Sequence, residues 1–198
     1  GRRLQPPVNP HSAKIGCLLA LCVRNLSSNY QVCHTMAEQR AFVLTGQILE
    51  TYSSNSETLC RLAIYTIQNF ARDAGLHELL LDENAIEILQ LVVFRSPEGI
   101  ESLTPNPMLT GIDVFNTVRC IDLIATSPQC REGIVTKGAV QLLNGLRERV
   151  DDSCRFAMAN SLCSLSASTE CRSSMVNQNA PNLIVALSKT EDNKTQLK

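Results

Sequence analysis

Apolar residues recur in this chain at two nested spacings. Within helix-length windows they fall at i, i+3 and i+4, as Ile15, Leu18, Leu19, Cys22, Val23 and Leu26 do, which is the stripe of a helix that buries one side. Over longer distances a whole pattern returns: a long helix, a tight turn, a short helix, and a second apolar run that opens on alanine. The stretch from Ala63 to Ile86 is one complete copy. Leu26, Phe70, Ile124 and Leu165 occupy one position of it, and fifteen residues after each comes Ala41, Ala85, Ala139 or Ala180. Self-similarity of this kind predicts helical units that cannot bury their apolar faces alone and do so by stacking on their neighbours.

The pattern places long helices over residues 13–26, 58–71, 109–125 and 152–166, with short helices ending near Glu38 and covering about 76–83, 129–137 and 170–178. Third helices are expected over 41–52, 85–94, 139–149 and 180–188. Three columns of buried residues are predicted when the units are laid together. Met36, Leu80, Ile134 and Met175 align on the short helix; Leu44, Ile88, Leu142 and Leu183 align on the third; Ile48, Val92, Leu146 and Leu187 follow one turn on. Before the alanines stand Arg40, Asn84, Gly138 and Asn179. Gly and Asn tolerate the left-handed backbone that ends one helix and reverses into the next. Arg40 does not share that tolerance, so either a looser first turn or an irregular first unit is expected.

These landmarks divide the chain into a Pro-rich irregular leader, residues 1–11, and an array over 12–198. Its units are approximately 12–56, 57–109, 110–150 and 151–190, with the start of a further unit at 191–198. The alanine spacings are 44, 54 and 41 residues, and the surplus of the middle one falls in 95–110, where Pro97, Gly99, Pro105 and Pro107 exclude a continuous helix. A surface loop insertion is expected there. Both ends cut through the pattern, which predicts a fragment of a longer array, truncated at both ends.

Composition fits narrow helix-on-helix interfaces: 44% of the 198 residues are hydrophobic but only 4% aromatic, with no Trp. A net charge of -1 gives no global attraction to nucleic acid or anionic lipid, so no nucleic-acid partner is expected. Nine cysteines include no CxxC pair. Cys130 and Cys171 share a position where the pattern wants a small buried residue, which points to thiols in a reducing compartment, cytoplasm or nucleus. Arg2, Arg3 and the run Ile15 to Val23 resemble a secretory signal, but prolines intervene and the run fits a helix interior. No apolar stretch reaches bilayer-spanning length, so no membrane insertion is expected. His11, His34 and His77 are too scattered for a metal site, His77-Glu78 lacks the second histidine of HExxH, and no P-loop or GxSxG occurs. The motif census predicts no enzyme, no cofactor and no metal.

Three helices per unit and the order long helix, short helix, Gly/Asn-Ala, apolar helix resemble the armadillo repeat family, as in importin-α-like and β-catenin-like proteins. Asn25-Leu26-Ser27 and Asn69-Phe70-Ala71 are similar to the family pattern near the end of its long third helix. HEAT repeats are the nearest rival but usually have two helices and no Gly-Ala junction. The resemblance implies an all-α, right-handed α-solenoid of about four armadillo-type three-helix repeats, with an extended peptide or protein segment held in a concave groove lined by the long helices. Family asparagines on those helices grip the peptide backbone, because a carboxamide both donates and accepts. Carried over, that column reads Asn25, Asn69, Leu123 and Ser164, and the pocket column one turn earlier reads Leu21, Tyr65, Arg119 and Asn160.

The candidate groove residues are therefore Leu21, Asn25, Arg61, Tyr65, Asn69, Arg119, Asn160 and Ser164. Tyr65 and Asn69, one turn apart, are the most specific pair, the alternative being that Asn69 caps its helix and Tyr65 packs against a neighbouring unit; Arg61 and Arg119 offer cations to an acidic or phosphorylated ligand, although most exposed arginines are solvating charges. Phe115 and Phe156 share a region of their long helices and read as core. The function these features predict is a non-catalytic interaction scaffold or adaptor. An importin-α-like nuclear import adaptor is the alternative, set back by the missing tryptophans and by long helices near neutral in charge. A third possibility is a regulatory armadillo segment of a larger enzyme, such as a ubiquitin ligase or a TIR-type hydrolase.

Overall fold

The computed structural model describes residues 10–52, 56–94 and 105–189, and among them there are helices and turns but no strand. The helices are α1 (Pro10–Ser27), α2 (Tyr30–Glu38), α3 (Val43–Tyr52), α4 (Glu57–Ala71), α5 (His77–Asp82), α6 (Ala85–Val93), α7 (Gly111–Ala125), α8 (Arg131–Thr136), α9 (Ala139–Leu146), α10 (Asp152–Ser166), α11 (Thr169–Asn177) and α12 (Ala180–Ser188). Single 3-10 turns at Ala74–Leu76 and Pro128–Cys130 lead into α5 and α8, and a third, Arg147–Arg149, closes α9.

Each of the long helices α4, α7 and α10 starts on a side-chain cap that satisfies backbone N–H groups lacking an intrahelical partner. The Ser56 hydroxyl accepts from the Leu59 N–H, and the Asp151 carboxylate from the Cys154 N–H. Thr110 and Asp113 form a reciprocal capping box at the start of α7. The first helix begins at Pro10, so residues 10 and 11 belong to α1 and not to the irregular leader expected over 1–11; proline suits a first helical position, where its missing N–H is not needed. Residues 1–9 and 190–198 lie outside the described residues, and with them most of the leader and the start of the further unit.

All four residues before the alanines are left-handed: φ is 55° at Arg40, 61° at Asn84, 86° at Gly138 and 68° at Asn179. The expectation of a looser turn at Arg40 is corrected. There the Ala41 N–H reaches Met36 O at 2.8 Å and the Arg40 N–H reaches Ala37 O at 2.9 Å, closing the end of α2. Phe42 is then buried completely. These gains offset the roughly 1–2 kcal/mol that a left-handed non-glycine residue costs. The third helix nevertheless starts at Val43, two residues later than expected.

The long helices pack in series, α1 on α4, α4 on α7 and α7 on α10. Phe70, Ile124 and Leu165 are each fully buried in this stack, and the short-helix residues Met36, Leu80, Ile134 and Met175 are buried as well. Two expectations fail at the first unit. Leu44 is 46% exposed where Ile88, Leu142 and Leu183 are buried, because the late start of α3 puts Phe42 into the interior instead, edge-on to Phe70 with ring centroids 5.5 Å apart. The α1 stripe is also largely in solvent: Val23 is buried, but Leu18 is 62% and Leu26 54% exposed. That helix packs chiefly on α2, α3 and α4, which leaves these side chains in solvent. Leu187 is half-buried.

Side chains stitch equivalent turns together. Arg40 donates to Glu83 Oε1 from Nε and Nη2, at 3.1 and 2.9 Å. Lys137, at the position of Glu83 one unit on, donates to Asn84 Oδ1 at 2.8 Å and Glu87 Oε1 at 2.5 Å. On the third helices Gln90 donates to the carbonyls of Lys137 and Gly138, both at 3.1 Å, and Asn144 at the matching place donates to the Gln178 carbonyl at 3.0 Å. Of the expected insertion 95–110, residues 95–104 lie outside the described residues. Its end is fastened: the Asn106 N–H donates to Val93 O at 2.6 Å, Arg149 donates to the carbonyls of Asn106 and Leu109, and Leu109 is buried.

Candidate functional site

The eight candidate residues sit on the long helices, four units deep: Leu21 and Asn25 on α1, Arg61, Tyr65 and Asn69 on α4, Arg119 on α7, Asn160 and Ser164 on α10. Their exposure follows from helix geometry, since positions four apart share a face that the core-facing stripe leaves out. Leu21, Asn25, Arg119 and Asn160 are exposed, whereas Arg61, Tyr65, Asn69 and Ser164 are half-buried.

Most of the polar candidates bridge neighbouring helices. Asn69 Nδ2 donates to the Ser27 hydroxyl at 3.0 Å and to the Arg24 carbonyl at 3.3 Å, tying α4 to the end of α1. Its Oδ1 has no hydrogen-bond donor among the described residues. The Arg24 guanidinium lies 5.7 Å from the Tyr65 ring centroid and also donates to Asn25 Oδ1, so the pair Tyr65 and Asn69 is anchored to α1 on both counts. Between α4 and α7, Arg61 Nε donates to Asp113 Oδ1 at 3.1 Å while its Nη2 donates to Glu57 at 2.6 Å, and Gln68 donates to Asn116 at 3.0 Å. Between α7 and α10, the Asp122 carboxylate accepts from both Arg119 and Asn160 Nδ2, the latter at 2.6 Å. Ser164 makes no comparable bridge among the described residues.

The charges are layered. Asp113 and Asp122 are buried almost completely, while the side chains of Arg61 and Arg119 stay 36% and 44% exposed. Burial alone would lift the Asp113 carboxyl, but hydrogen bonds from the Thr110 side chain and backbone and from Arg61, with that cation's charge, hold it below the usual carboxylate value. The Arg61 guanidinium is correspondingly raised, chiefly by its hydrogen bond to Asp113. What faces solvent over this pairing is guanidinium.

The core expected of Phe115 and Phe156 holds in part for Phe115, which packs against the core, and is corrected for Phe156. Phe115 is half-buried, Phe156 is 76% exposed, and both line a hollow of about 440 Å³ between α7 and α10 with Arg119, Asp152, Ser153 and Ala157. Ile112 is 59% exposed one turn before Phe115. A signal was there to be used: Ile112, Phe115, Arg119 and Leu123 follow a single helical stripe, so a phenylalanine in register with an exposed arginine belongs to its face.

Several other chemistry-bearing side chains lie in the interior. His77 is buried, with Nδ1 2.7 Å from the Ser127 hydroxyl and Nε2 2.8 Å from the Ala71 carbonyl. No disulfide joins any of the nine cysteines; burial raises the Cys120 thiol and pushes Cys154 up to about 12, the reverse of an activated nucleophile. Among the described residues there is no cluster of three or more metal-ligating side chains and no helix long and apolar enough to cross a membrane. Comparison of the chain with protein-family models, curated proteins and solved structures gives no match.

Proposed function

We propose that this chain is a non-catalytic interaction scaffold, an armadillo-type α-solenoid that holds an extended protein segment across α1, α4, α7 and α10. The observation that carries this reading is the serial packing of the long helices, which lines up side chains of four units on one face. Rows of regularly spaced donors, acceptors and apolar groups match the repeat of an extended peptide. Tyr65, Asn69 and Arg119 are already fixed by neighbours, so ordering them on binding costs little further entropy. A basic import signal is disfavoured as ligand, because Asp113 and Asp122 are buried beneath arginines.

A random peptide display library selected on the folded chain tests the proposal. Selected peptides are expected to slow amide exchange in α4, α7 and α10 and to lose about tenfold or more in affinity to the paired Tyr65→Ala and Asn69→Ala variant, as truncated interface anchors do. Protection confined to other helices, or affinity that survives both this double substitution and Phe156→Ser in a folded protein, contradicts it.

A further inference from the structure

Building on the scaffold reading, we infer that the specificity-determining part of the face is the hollow between α7 and α10, and that its occupant is a partner segment with one large apolar side chain and a carboxylate beside it. Phe156 is 76% exposed, the largest apolar surface that any described side chain of the face offers to water. With Phe115 it walls a hollow of about 440 Å³, room for a leucine or aromatic side chain of a partner. Burying such a side chain between two rings removes apolar area on both molecules. Large exposed aromatics in a concave site mark binding anchors more than solvated surface.

Charge complementarity fixes the neighbour of that anchor. Arg119 lines the same hollow and keeps 44% of its side chain exposed, while the carboxylate that pairs with it, Asp122, is 2% exposed and also takes the Asn160 amide. Asp122 thus holds the guanidinium in place from below and leaves its outer N–H groups for a second carboxylate. Asp152 also lines the hollow, fully exposed and 3.9 Å from Arg155, and disfavours a carboxylate placed beside it. The lining thus assigns two places: the apolar group lies over Phe115 and Phe156, and the carboxylate beside it meets Arg119. A segment with Lys or Arg beside its anchor places like charges together at Arg119.

The test uses three pools of synthetic 12-residue peptides with a central Leu or Phe flanked by Asp/Glu, the same centre flanked by Lys/Arg, and a central Ser flanked by Asp/Glu. The acidic-flanked apolar pool is expected to supply the tight binders, and Phe156→Ser, which alters an exposed side chain, to weaken them about tenfold. Arg119→Gln is expected to weaken the acidic-flanked peptides and to narrow their lead over the basic pool, with Arg119→Lys restoring part of it. Binders drawn equally from the Ser-centred or basic pools overturn the inference. So does affinity indifferent to Phe156→Ser but sensitive to the paired Tyr65→Ala and Asn69→Ala change, which leaves the scaffold reading standing. Indifference to both in folded protein removes the scaffold reading as well.

Discussion

Asp113 is buried against donors from two directions, Thr110 before its own helix and Arg61 from α4. Its carboxyl is held below the usual value, so its charged form stabilises the fold above the unfolded carboxylate pKa near 3.9, and that contribution is lost as pH falls through the lower folded value. Replacement by asparagine keeps the volume and removes the charge. Asp113→Asn is expected to lower stability at pH 7 by about 1–3 kcal/mol in urea unfolding. The gap to the parent protein closes as pH drops below about 4; a gap constant from pH 7 to pH 2.5 contradicts this account. Asp122 has the same burial and the same kind of partners, yet neither residue was legible as a bridge in the sequence. Hydrophobic periodicity reports which face is inside, and a lone aspartate on an apolar stripe says nothing of which distant arginine reaches it.

Among the elements, the left-handed turns are where chain chemistry and geometry meet most directly. A Cβ on Gly138 would fall 2.5 Å from Gln90 Nε2 with φ at 86°, so Gly138→Ala strains the turn and displaces the amide that binds Lys137 O and Gly138 O. The expected loss is about 1–3 kcal/mol by chemical denaturation. Gly111→Ala, where nothing lies within 4 Å, is expected to stay within about 0.5 kcal/mol of the parent. Helix existence, order and turn positions were legible because fixed spacings recur four times with Asn or Gly at three of the turns. Arg40 was not, since its left-handed backbone is imposed by Met36 O, Ala37 O and the burial of Phe42, contacts made in three dimensions. The same shift of α3 explains why Leu44 left its predicted column.

Across the whole molecule, burial is deepest in the middle. Ile121, Ile124, Val140, Leu142 and Leu143 are fully buried, whereas Ile15, Leu18 and Leu19 on α1 are exposed. Hydrogen exchange is therefore expected to be slowest in α7 and α9 and faster in α1 by at least about tenfold, because local opening follows buried contact; uniform protection from α1 to α9 would falsify this. Of the candidate surface, the sequence placed all eight residues on long helices, where the structure has them, since register carries over between units. The hollow of Phe115 and Phe156 escaped it because an aromatic on an amphipathic helix looks like core until its neighbours are known. One further consequence belongs to the seam where α6 hands over to α7. Val93 and Asn106 are clasped at 2.6 Å and Arg149 holds the carbonyls behind them, so both margins of the interval 95–104 are set by the helices and not by its content. The free energy of joining two fixed points rises only with the logarithm of the chain length between them, so a reporter, an affinity tag or a tethered ligand spliced between Val93 and Asn106 is expected to leave the stacking of α6 and α7 in place.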